Sequence, residues 1–121
     1  MTPTGLVGAT VAIEGSRVVS VGVDVADPDV VIDASGCLVG PGFVDAHVHF
    51  RDPGQTWKED LLTGSASAAV GGYTAAVVMP NTDPAIDDPT RASDLLSRGN
   101  AGGPIEISVA AALTRNRAGS E

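Results

Sequence analysis

Aromatic side chains are scarce in this sequence: Phe, Trp and Tyr make up only 3% of its 121 residues. A folded core must therefore be built from aliphatic side chains, and the 43% hydrophobic content is enough for about one domain. Cysteine is rarer still, because Cys37 stands alone, which excludes an intrachain disulfide framework. Since Cys37 lies in an apolar run, we interpret it as a small buried hydrophobe.

Positive charge is also in short supply. Seven Lys and Arg residues stand against fifteen Asp and Glu, which gives a net charge of −8. Without a basic cluster, a nucleic-acid-binding surface is not expected. The sequence also lacks an apolar run of about 18 residues and a basic N-terminus leading into an apolar stretch, so it predicts neither a membrane span nor a signal peptide. We therefore expect a cytoplasmic protein.

Residues 1–40 form the first predicted domain, a β-strand segment. The run GATVAIEGSRVVSVG has two β-branched stretches around Glu14-Gly15-Ser16, a pattern typical of a hairpin. A second hairpin is predicted from DVVIDA and CLVGPG, which flank Ser35-Gly36. Nothing in this segment indicates catalysis.

Residues 41–121 alternate between strand and helix signals. Strands are predicted at residues 43–50, 73–80 and 104–114, with one helix ending at Gly71-Gly72 and a second ending at Gly99. The first helix is expected to begin at a capping box, Thr56 to Glu59, and the second at Asp88-Pro89. The order β-α-β-α-β predicts a parallel sheet. Because a complete (β/α)8 barrel needs about 250 residues, the segment is either a small open α/β sheet or the first part of a larger barrel.

Histidine is rare as well, and both copies occur within PGFVDAHVHFRDPG at residues 41–54. In a regular strand, residues two apart share a face, so Asp45, His47 and His49 are expected on one side. Two imidazoles at this spacing can reach one metal ion, and imidazole suits zinc. On the spacing alone, two partly buried, hydrogen-bonded histidines explain the pair equally well.

Arg51 and Asn81 follow the first two predicted strands of this segment. The carboxyl ends of parallel strands are where barrel enzymes place their sites, so both side chains are expected near the histidines. The planar guanidinium of Arg51 suits a bidentate carboxylate, although a surface ion pair with Asp52 is the simpler alternative. Asn81 could equally be a turn residue. Asp45 could orient an imidazole, or it could be a structural hydrogen-bonding carboxylate.

Three segments, PGFVDAHVHFRDPG, KEDLLTGSASAAVGGYT and VVMPNTDPAIDD, together resemble the N-terminal part of the bacterial zinc-dependent dihydroorotases, of the amidohydrolase superfamily. H-x-H-x-R followed by M-P-N-T is far more specific than H-x-H alone. The resemblance implies that residues 41–121 are the first three strands and two helices of a TIM-like barrel that is incomplete in this chain. It also implies that residues 1–40 are part of a small β-sandwich built from both ends of the chain.

The same resemblance implies the roles of individual residues. His47 and His49 would be ligands in a site of two zinc ions, and His49, Phe50, Arg51 and Asn81 would contact the substrate. The expected reaction interconverts N-carbamoyl-L-aspartate and dihydroorotate in the de novo synthesis of pyrimidines (UMP). The family's catalytic aspartate and its later metal ligands are expected beyond Glu121, so this segment alone is expected to lack activity.

Other functions remain open at this point. Allantoinases and hydantoinases of the same superfamily also carry H-x-H, but they usually lack the arginine and the asparagine. A non-catalytic dihydroorotase-like subunit could act as a scaffold for aspartate carbamoyltransferase, although such proteins have typically lost the metal histidines. The resemblance allows a homodimer or an association with aspartate carbamoyltransferase, with no nucleic acid or membrane partner.

Overall fold

The computed structural model describes residues 5–23 and 25–120. Residues 1–4, at the start of the predicted N-terminal segment, lie outside the described residues. The chain divides into two compact units, Met1–Pro41 and Gly42–Glu121, one residue after the division that the sequence predicts. Neither helix in the described part of the chain is long and apolar enough to cross a membrane.

The first unit contains one antiparallel hairpin, formed by β1 (Val11–Glu14) and β2 (Arg17–Val21). The tight turn between the strands needs a residue with positive φ, and Gly15 provides it with φ of 59°. The first predicted hairpin is therefore confirmed.

The second predicted hairpin is wrong. Ser35 and Gly36 do form the expected turn, with the amide of Cys37 donating to the carbonyl of Ala34 over 2.9 Å. However, residues 25–42 contain no strand, and Ile32 is 84% exposed. A turn forms from local interactions, whereas a strand pair is stable only when its apolar face is covered. Because this segment is not packed, Cys37 is exposed rather than buried as predicted.

The second unit is a parallel α/β sheet. Its elements are β3 (Phe43–Val48), α1 (Leu61–Val70), β4 (Tyr73–Val78), α2 (Pro89–Asn100) and β5 (Glu106–Val109). They are followed by a short 3-10 turn, Arg115–Arg117. The three strands pair in the order β3-β4-β5, all parallel, which confirms the predicted β-α-β-α-β arrangement. This architecture is consistent with part of a (β/α)8 barrel.

The beginning of α1 differs from the prediction. The N-cap residue is Asp60, four residues after the predicted cap residue Thr56. The Asp60 carboxylate accepts the amides of Leu62 and Thr63 at 2.9 and 2.8 Å, and the Thr63 hydroxyl accepts the Asp60 amide in return. Asp60, which directly precedes the apolar Leu61, thus caps the helix in place of Thr56, and residues 51–60 remain a loop. The predicted cap at Asp88, with Pro89 following, is confirmed.

The helices cover one face of the sheet. Ala76 and Val78 of β4 are 1% and 0% exposed and pack with Leu95 of α2 and Ile107 of β5. The alternate residues of β4, Ala75 and Val77, are only partly buried. The side of β4 that carries Ala76 is therefore the core side, which allows the residues of β3 to be assigned to one face or the other.

The Asp60 cap makes a pH-dependent prediction. Hydrogen bonds from the Thr63 amide and hydroxyl lower the pKa of Asp60 in the folded state. The cap should therefore stabilise the fold fully above the ordinary aspartate pKa of about 3.9 and lose that effect as the pH falls through the lower folded-state pKa. We expect Asp60→Ala to reduce the free energy of unfolding at neutral pH and to match the wild type in strong acid. Thr56→Ala is the control, and an equal effect of both changes at neutral pH would contradict the assigned cap.

Candidate functional site

The two histidines lie on the same side of β3. His47 is the penultimate residue of the strand and His49 follows its last residue, with ring centroids 5.1 Å apart in an edge-to-face arrangement. Both residues are exposed. This placement is the one that the two-residue spacing predicts, and it leaves ring nitrogens of both residues accessible for a ligand.

Asp45 lies on the opposite face, contrary to prediction. Asp45 pairs with Ala76, and Val48 pairs with Val78. Between these two pairs the chain advances three residues in β3 but only two in β4. One extra residue in a strand is a β-bulge, and it reverses the face of everything before it. Asp45 therefore shares the core face with Ala76 and Val48, and its carboxylate accepts the backbone amide of His47 at 3.0 Å. In the described part of the chain it forms no hydrogen bond with either imidazole.

Phe50 belongs to the core. Its side chain is 7% exposed and packs so closely on α1 that a Cβ on Gly64 would lie 2.6 Å from the ring. The ring therefore points away from the histidines. The predicted contact between Phe50 and a substrate could therefore be made only by its backbone, because the side chain is buried.

Asn81 and His49 are in direct contact. Nδ1 of His49 lies 2.7 Å from Oδ1 of Asn81, although 32 residues separate them in sequence. Next to this contact, the amide of Met79 donates to the carbonyl of Val48 over 2.9 Å, extending the pairing of β3 and β4. Two of the residues singled out in the sequence thus meet at the carboxyl edge of the sheet.

Arg51 begins the loop that follows β3. Its backbone has φ of 50°, a strained value for a residue other than glycine, and its carbonyl accepts the Gln55 amide at 2.9 Å. None of the ion pairs among residues 5–23 and 25–120 involves Arg51. The simple alternative for Arg51, a salt bridge to Asp52, is therefore not formed, and its guanidinium stays available for an external anion.

Asp52 instead anchors this loop to α2. It is 8% exposed, and its two carboxylate oxygens accept hydrogen bonds from the two terminal nitrogens of Arg98, each 3.0 Å long. These bonds raise the pKa of the Arg98 guanidinium above its ordinary value. Sequence patterns gave no signal for this pair, because 46 residues separate its members.

The loops that carry Arg51 and Asn81 are packed against each other. The Asp83 amide donates to the Pro53 carbonyl over 3.2 Å. Gly54 has φ of 95°, and a Cβ at this position would lie 2.0 Å from the carbonyl oxygen of Asp83. Only glycine allows so close an approach, so Gly54 lets the two loops pack directly together.

Metal-ligating side chains are few at this edge. Within residues 5–23 and 25–120, no group of three or more His, Cys, Asp or Glu side chains could hold one ion. The pair of accessible imidazoles fits half of a tetrahedral zinc shell, which takes four ligands. As a donor set the two histidines are suitable but incomplete.

Comparison with known proteins adds independent information. The family model described as "Amidohydrolase family" matches residues 38–103. The chain is 50% identical over 91 residues to a dihydroorotase of Sulfurihydrogenibium sp., which covers 75% of this chain and 22% of the relative. It is 42% identical over 113 residues to the dihydroorotase of Mycobacterium tuberculosis, and 39% identical over 112 residues to that of Aquifex aeolicus. Both of these alignments cover 92% of this chain and 26% of the relative. The chain thus spans about a quarter of the length of these relatives.

The Asp52–Arg98 pair can be tested by its effect on stability. Asp52→Ala removes two charge-assisted hydrogen bonds at a buried carboxylate and should lower the free energy of unfolding by about 1.5–3 kcal/mol. Asp94→Ala removes an exposed partner of the same guanidinium and should cost less than about 1 kcal/mol. Urea unfolding of both variants measures the difference. Equal costs would mean that the buried pair does not anchor the loop.

Proposed function

Because this chain belongs to the amidohydrolase family, we propose that it is part of a zinc-dependent dihydroorotase that interconverts N-carbamoyl-L-aspartate and dihydroorotate. The observation that carries this proposal is the meeting of His49 with Asn81 at the carboxyl edge of the sheet, next to His47. The names of the similar proteins support the same substrate. In this proposal the second unit is the beginning of a barrel, and the first unit is part of a β-sandwich.

His47 and His49 would hold zinc, in a complete site of two ions with further ligands from outside residues 1–121. When bound, zinc acts as a Lewis acid that activates water and polarises the amide carbonyl. The tasks of this segment are then to present two neutral nitrogens on one rigid strand and to keep substrate-binding side chains beside them. The aspartate that moves the proton in the family would also come from outside this segment, so the segment alone would lack turnover.

Arg51 and Asn81 would bind the substrate carboxylate. The guanidinium offers a charged, planar pair of donors, and the amide nitrogen of Asn81 adds a neutral donor from the neighbouring loop. The absence of an ion pair at Arg51 within the described residues supports this role, because such a cation is free to take an anionic substrate. An available guanidinium at Arg51 favours a substrate that bears a carboxylate over allantoin or hydantoin.

The remaining parts of the proposal concern the cellular setting. Pyrimidine synthesis would place the protein in the cytoplasm, with a small-molecule substrate. A homodimer, or an association with aspartate carbamoyltransferase, is compatible with the family. Retention of both histidines favours a metal-binding enzyme over a purely scaffolding subunit.

Zinc binding by this chain is the first test. Two imidazoles fill half of a tetrahedral shell, so we expect weak binding that His47→Ala or His49→Ala reduces below detection. Gln55→Ala, a nearby change that removes no ligand, should bind as the wild type does. The same samples should show no turnover of dihydroorotate. If the wild-type chain did hydrolyse dihydroorotate and His47→Ala abolished that activity, residues 1–121 would contain a complete site.

Substrate choice is the second test, and it needs a complete enzyme. We suggest a chimera in which this chain replaces the aligned segment of the Aquifex aeolicus dihydroorotase. Arg51→Lys keeps the charge but loses the planar fork, a loss of about 1.5–3 kcal/mol, or about a ten- to hundredfold decrease in kcat/KM for dihydroorotate. An uncharged cyclic imide without the carboxylate should be hydrolysed equally by both forms. If Arg51→Lys slowed both substrates to the same extent, Arg51 would be structural.

A further inference from the structure

The contact between Asn81 and His49 determines where the imidazole carries its proton. A carbonyl oxygen only accepts hydrogen bonds, so at 2.7 Å from Oδ1 of Asn81 the Nδ1 atom of His49 must be the donor. A neutral imidazole carries one proton, and Nε2 therefore keeps its lone pair. The reverse orientation of the amide would present a donor to Nδ1 and move the proton to Nε2. The orientation of Asn81 thus selects the tautomer of His49.

Backbone hydrogen bonds on both sides of Asn81 hold it beside His49. Two residues before it, Met79 donates to Val48, the residue that precedes His49. Two residues after it, Asp83 donates to Pro53 in the loop that follows His49. Asn81 is therefore fixed on both sides to the strand and the loop that flank His49. The contact is a property of the folded chain and does not require a bound ligand.

His47 has no comparable support. Within residues 5–23 and 25–120, no side chain forms a hydrogen bond with its ring, and the ring contact that it makes is with His49. The described residues thus orient one of the two imidazoles and leave the other free to turn. An effect of Asn81 on metal binding would have to act through His49.

We propose that Asn81 is a positioning residue that fixes the Nδ1–H tautomer of His49 and so presents Nε2 to the metal. This inference rests on the proposed function and deepens it, because Asn81 would otherwise serve the substrate alone. With Oδ1 engaged by His49, the amide nitrogen of Asn81 remains as a donor for the substrate carboxylate. One side chain would then connect a metal ligand to the bound substrate.

The tautomer can be measured without metal. Long-range nitrogen–proton correlation spectra of the metal-free chain, recorded well above the ordinary imidazole pKa of about 6.5, distinguish a protonated nitrogen from a bare one. We expect a protonated Nδ1 and a bare Nε2 at His49 in the wild type, with His47→Ala used to assign the signals. Asn81→Asp keeps an acceptor and should keep this tautomer, whereas Asn81→Ala should lose the preference.

Zinc affinity is the second measurement, by competition with a chromophoric chelator. Loss of a residue that orients a metal-binding histidine typically weakens binding by about 10- to 100-fold, and we expect a decrease of this size for Asn81→Ala. Asn81→Asp should bind zinc at least as well as the wild type. Gln55→Ala is the matched control, because it removes an amide at the same edge whose partner is Lys58, and it should leave the affinity unchanged.

The outcomes separate this inference from the proposed function. Wild-type affinity in a folded Asn81→Ala variant, or a proton on Nε2 of His49 in the wild type, would overturn the role of Asn81 alone. A chain that bound no zinc would overturn the metal-dependent function together with it. If Asn81→Ala failed to fold, as judged by circular dichroism, the wild-type spectrum and Asn81→Asp would decide, since weakened binding in the aspartate variant would contradict the inference.

Discussion

Parallel pairing between β3 and β4 is the constraint on which the candidate site depends. It brings the carboxyl ends of two strands to the same edge, so that His49 and Asn81 meet although they are far apart in sequence. The pairing continues beyond both strands through the hydrogen bond from Met79 to Val48. A slip of one residue would turn the histidine face of β3 towards the helices and expose Phe50, so the buried ring also fixes the register.

The parts of this structure that follow from local chemistry could be predicted from the sequence. Alternation of apolar strands with capped helices gave the parallel β-α-β-α-β order, and Asp88 with Pro89 gave the start of α2. The spacing of His47 and His49 gave their common side. These signals involve residues within one element or one turn, where backbone geometry leaves few alternatives. The capping box predicted at Thr56 is wrong, because the carboxylate of Asp60, four residues later, accepts the amides of Leu62 and Thr63 and caps the helix there.

Features that depend on distant partners could not be predicted. The ion pair between Asp52 and Arg98 joins a loop to a helix, and neither residue differs locally from an ordinary surface charge. The bulge in β3 arises from how two strands match, so strict alternation placed Asp45 on the wrong face. The second predicted hairpin is wrong for the same reason. Its turn forms from neighbouring residues, but its strands would need an apolar surface to cover them, and Ile32 remains exposed.

The bulge also explains how one short strand can serve both the core and the candidate site. Val48 faces the helices and contributes to packing, whereas His47 and His49 are exposed and contribute little to it. Changes at either histidine should therefore affect ligand binding with little effect on folding. Asp45 differs from both, because its carboxylate holds the amide of His47 across the bulge. Asp45, on the core face, thus binds the backbone of a residue whose side chain lies on the opposite, exposed face.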